Sequence, residues 1–101
     1  MDRIELDGRA WKSEADFFDR LANALGCHDG HGRNWDALLE TMIYYTWLQS
    51  VVPPYEVVIA NASEAVRPFL LRFANSVARD RKDRLDDPEW GDDVDVKVIV
   101  E

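Results

Sequence analysis

One cysteine, Cys27, stands in 101 residues, which excludes an internal disulfide framework and fits a reducing compartment. Long apolar runs are missing too: none approaches the roughly 20 residues that a membrane-crossing helix needs. No leading stretch joins a basic segment to an apolar run, so no secretory signal is expected, and the cytoplasm is the expected location. Bases are scarce, with 12 Lys and Arg against 20 Asp and Glu, for a net charge of -8. That balance opposes a broad phosphate-binding surface, so direct nucleic-acid binding is not expected, and it favours a basic protein partner.

What is present is core material. Hydrophobic residues make up 47% of the chain and eleven are Phe, Tyr or Trp, enough for one small α/β domain over residues 1–101. The charge is unevenly placed. Residues 64–85 carry six bases and three acids, whereas 86–101 carry seven acids and one base.

Arg3-Ile-Glu-Leu-Asp7 alternates with period two and predicts a strand that Gly8 ends. Ser13 is a candidate N-cap with Asp16 three residues on, and Phe17, Phe18, Leu21, Ala22 and Leu25 form a helical apolar face stopped by Gly26. A second helix is expected from Asn34 into the middle forties, with Trp35, Leu38, Leu39, Met42 and Ile43 inside. The aromatic stretch 44–52 fits either a helix extension or a loop, before Pro53-Pro54. Glu56–Ala60 lacks alternation and reads as a buried, central strand. A short turn after Ser63 and a helix from near Pro68, with Leu70, Phe73, Ala74 and Val77 inside, precede a loop at 86–91. Val94, Val96, Val98 and Val100 alternate as a last strand. The order β-α-α-β-α-β predicts a two-layer sandwich with a three-stranded parallel sheet, spatial order 1-2-3, joined by right-handed crossovers.

Function points to the segment Gly30–Glu40. Asn34 can cap the second helix, and Asp36 suits its positive N-terminal end. Asp36 and Glu40, four residues apart, share one helical face; Tyr44 continues it, and Trp47 joins it if the helix persists. Acids held on a packed helix beside aromatics suit Arg and Lys of a partner, while Gly30 and Gly32 let the preceding loop come close. An acidic, solvated helix face is the ordinary alternative.

The run Gly32-Arg33-Asn34-Trp35-Asp36-Ala37-Leu38, followed by Glu40, resembles the barstar family, intracellular inhibitors of secreted bacterial ribonucleases. Strand order and the flanking helices extend a weaker likeness along the chain. The resemblance implies a barstar-like sheet whose helix and preceding loop enter an enzyme's cationic groove and block RNA. On this reading the protein-binding residues are Gly30, His31, Gly32, Asn34, Asp36, Glu40, Ile43, Tyr44 and Trp47. Asp36 matches an interface aspartate, and Glu40 stands where the family has its principal acidic contact, one methylene longer. Gly30 and His31 replace adjacent tyrosines, Leu39 replaces a tryptophan, and Asn75 stands for a glutamate, differences that suit either a differently shaped groove or a loss of inhibition. The implied partner is a secreted or toxin-type ribonuclease; a noncatalytic domain binding some other basic protein is the alternative.

Other chemistries have less to stand on. Cys27, His28, Asp29 and His31 include metal-donor types, but no second cluster completes a zinc pattern, so no metal or other cofactor is expected. Asp36 and Glu40 on adjacent turns form no substrate cleft, and no nucleophile–base–orienter set is evident, so catalysis is not expected. The basic stretch 67–84 reads better as a solvated face than as a nucleic-acid site. Asn61-Ala-Ser63 matches a glycosylation sequon but fits a strand exit and cap.

Overall fold

A computed structural model describes residues 2–28, 30 and 32–101. These residues form strands β1 (Asp2–Asp7), β2 (Tyr55–Ala60) and β3 (Val96–Val100), helices α1 (Glu14–Leu25), α2 (Trp35–Ile43) and α3 (Arg67–Asp86), and a 3-10 turn at Thr46–Leu48. The strands make one parallel sheet in the expected order β1-β2-β3. β2 is central, with Ile4 beside Val57 and Val57 beside Val98. This position explains its run of apolar residues: Tyr55, Val57 and Ile59 are fully buried and Val58 nearly so.

Local chemistry sets the helix ends. The Asp16 carboxylate accepts from the Ser13 backbone N–H at 3.2 Å and from that of Lys12 at 2.8 Å, one half of a capping box. Those N–H groups, the Lys12 one first, hold the Asp16 carboxyl below the usual range. Gly26 ends α1 at φ 69, where a Cβ would lie 2.6 Å from the Ser50 Cβ, so glycine is required twice over. α3 begins at Arg67 with Pro68 in its first turn, as the missing proline N–H allows, and runs well past the apolar stripe that predicted it.

Aromatic rings tie the helices together. Phe17 packs edge-on to Phe73 at 5.4 Å and to Phe69 at 6.0 Å, and Trp35 meets Phe73 at 5.1 Å and Phe69 at 5.4 Å. Truncating a fully buried member such as Phe17 or Phe73 to Ala removes about 3–5 kcal/mol.

The uneven charge seen in the sequence is settled internally. Arg81 pairs with Asp93 at 2.6 Å and Asp95 at 3.0 Å; Arg84 grips both carboxylate oxygens of Asp92, at 3.0 and 3.1 Å. Arg84 also donates to the Ile43 carbonyl and lies 4.6 Å from the Trp90 ring centre. The basic end of α3 thus holds down the acidic loop that follows it. The Arg81 guanidinium, assisted by the Asp95 N–H, depresses the Asp93 carboxyl to about 2.

Candidate protein-binding site

Asn34 adopts an extended backbone conformation, and its Oδ1 accepts the Ala37 N–H at 3.0 Å, so the cap of α2 is made by the expected residue. Trp35 turns inward to the Phe69–Phe73 cluster, which fixes the first turn from below. Asp36 and Glu40 remain exposed on the outer side, Asp36 within the first turn where the helix dipole favours negative charge. Arg33 is the one base between residues 29 and 63. It is drawn away toward α1, 3.5 Å from the Asp19 carboxylate and 3.3 Å from its carbonyl, so the acids keep their field.

The preceding loop divides by residue. A Cβ on Gly30 would meet nothing within 4 Å, whereas one on Gly32 would press at 3.1 Å on the Asn34 amide and at 3.2 Å on the Ala37 methyl. Gly30 leaves open backbone facing outward space; Gly32 makes room for the cap. His31, and Asp29 among the metal-donor residues considered, lie outside the described residues.

At the far end of α2 the expectations need correction. Ile43 is fully buried, so it belongs to the core and not to the binding surface. The end of α2 is packed on α3, where Arg84 reaches the Ile43 carbonyl. Helical spacing puts Ile43 both near Asp36 and near the inner stripe, and packing selects the second. The helix does not persist: the N–H groups of Tyr44 and Tyr45 both donate to the Glu40 carbonyl, at 2.8 and 3.0 Å, and the chain turns away. Trp47 therefore sits on the 3-10 turn, 64% exposed, not on the α2 face. Leu39 is buried as well.

Tyr44 is half-buried, its ring 5.4 Å from that of Trp90. Burial, and then the charges of Asp80, Asp83 and Asp87, push its phenol above the ordinary value. Asp80 and Asp83 stand in the last turns of α3 and Asp87 at its C-cap, at i, i+3 and i+7, a signal the sequence contained; they add negative charge beside Tyr44, which Arg84 partly offsets. Tyr45, 42% exposed and 5.4 Å from Trp47, is another surface aromatic beyond the expected set. Asn75 is exposed on α3.

A parallel sheet carrying a firmly capped helix with an acidic outer face suits a small protein-binding domain. The family model described as Barstar (barnase inhibitor) matches residues 1–100, and the chain belongs to the barstar family. Membership supports ribonuclease inhibition as the general function, a ribonuclease as the general kind of partner, and a noncatalytic protein. Comparison with curated proteins gave no match.

Proposed function

We infer that this protein blocks a secreted or toxin-type bacterial ribonuclease from within the cytoplasm, by seating the start of α2 and its preceding loop in the enzyme's cationic groove. Asp36 and Glu40 stand in for RNA phosphates, meeting Arg or Lys of the enzyme while the helix excludes substrate. The observation that carries this reading is the pair of exposed carboxylates on one turn-to-turn face of a helix fixed by Asn34 and Trp35. Withdrawal of Arg33 to Asp19 supports it. Tyr45 and Trp47 offer exposed apolar area just beyond the end of α2, and a partner that covered it along with the acids would shield the charged contacts from water.

The test is binding of the chain to purified barnase-type ribonucleases, with RNA cleavage read in parallel. Asp36→Ala and Glu40→Ala should each cost about 2–5 kcal/mol of affinity if their partners are left buried, a range that rests on charged interfaces including those of barstar-family inhibitors. Glu5→Ala, on the sheet face away from the helices, should change affinity by less than about 0.5 kcal/mol. Inhibition that survives both helix substitutions at full strength would sink this assignment.

A further inference from the structure

β1 and β3 are both edges of the sheet, yet they are differently defended. β1 places Asp2, Arg3, Glu5 and Asp7 among its six residues, the kind of charge density that keeps strand edges from pairing. β3 reads Val-Lys-Val-Ile-Val, with Lys97 alone charged. Tyr55 donates to the Asp95 carbonyl at 3.3 Å and Glu101 donates to the Ile59 carbonyl at 2.9 Å. In a parallel ladder this register turns the backbone groups of Lys97 and Ile99 toward β2 and those of Val96, Val98 and Val100 outward. Along the same edge, α3 and β3 leave an apolar groove of about 470 Å³ lined by Ala74, Ala78, Leu85 and Val98. Leu85 and Ile99 are 47% and 40% exposed.

The outer-face side chains say what fits there. Lys97, Ile99 and Glu101 alternate along one face, a cation, an apolar group and an anion; the Glu101 carboxylate also lies 3.8 Å from Arg3 of β1, a long and exposed pair that docking of Lys97 would have to share. Read antiparallel about a two-fold axis through Ile99, this triplet is its own complement: Lys97 lies opposite Glu101 of the second strand, and Ile99 lies opposite Ile99. In the same register Val98 and Val100 exchange their outward N–H and C=O groups across the junction. Arg81 and Lys82, on the rim of the groove, are already paired with Asp93, Asp95 and Asp86, so they bring no unpaired charge to the axis.

We propose that β3 is a self-association edge, on which a second copy of this chain docks antiparallel to form a continuous six-stranded sheet and to cover the α3–β3 groove. No groove or edge residue belongs to the α2 surface, so the dimer presents two inhibitory faces, and its existence does not depend on how the ribonuclease is bound.

Sedimentation equilibrium and native mass spectrometry of the full chain test this directly. The expected result is a species of twice 11.7 kDa whose share rises with concentration. Lys97→Glu sets like charges opposite each other at two symmetric places and should weaken the dimer by roughly tenfold or more. Glu101→Lys should do the same, and the two together should restore association to within about threefold of the unaltered chain. Ile99→Lys should leave only monomer, with a circular-dichroism melt confirming that the fold is kept. A chain that stays at 11.7 kDa up to about 1 mM, far above a useful dissociation constant, overturns the proposal. So does a dimer indifferent to both Lys97→Glu and Ile99→Lys.

Discussion

Arg84 shows how much of this structure hangs on single side chains. Its guanidinium binds Asp92 with two hydrogen bonds, lies over Trp90 and donates to the Ile43 carbonyl at the end of α2, with its side chain only 11% exposed. Arg84→Ala should lower unfolding free energy by about 2–3 kcal/mol, read from urea melts, because charged hydrogen bonds and a cation–π contact go together. Arg84→Lys should recover less than half of the loss, since an ammonium cannot form the paired contact. None of this could be read from the chain beforehand. A basic stretch followed by an acidic one was evident, but which arginine meets which aspartate depends on a loop returning eight residues later. Ile43 fails the other way: its helical angle suited two environments, and only the packing of α2 on α3 distinguishes them.

At the level of elements, α2 is short, and its ends do different work. Its beginning was legible because capping is local chemistry: Asn34, the acid at 36 and the inward Trp35 stand within three positions. Its end was not, because Tyr44–Val52 carries aromatic residues compatible with helix or loop, and the chain turns where two N–H groups share the Glu40 carbonyl. The cap yields a prediction. Asn34→Ala should cost about 1 kcal/mol of stability. Gly32→Ala, which crowds the same amide, should weaken ribonuclease binding more than it lowers the melting temperature. Isothermal calorimetry beside a thermal melt separates the two, and a stability loss that accounts for the whole binding loss would leave Gly32 with a cap role alone and remove it from the binding surface. The sheet order was the most legible feature, since the valine alternation at the end and the uninterrupted apolar run in the middle require an edge and a centre.

For the whole molecule, the net charge of -8 matters through its distribution. Arg81 and Arg84 of α3 are occupied by the loop at 92–95, and Arg33 by Asp19, which leaves the exposed acids of α2 free to face a cationic enzyme. Association should therefore be fast at low salt and fall steeply as salt rises, while dissociation changes far less. Stopped-flow measurements over about 10–500 mM salt, a range spanning Debye lengths of roughly 30 to 4 Å, would show this. Equal salt slopes for both rates would contradict the steering account.

The parallel 1-2-3 sheet carries a further consequence. Its first pairing joins Asp2 to Tyr55 and its second joins Tyr55 to Val96, so every strand partner lies far along the chain. Such distant closures come late and together in folding. Asp36 and Glu40 exist as residues once about two-fifths of the chain is made, but the platform beneath them needs Phe73 from α3 and the grip of Arg84 on the loop beyond it. The first half of the polypeptide thus holds the acids without the means to aim them, and competence arrives all at once with the closing segment.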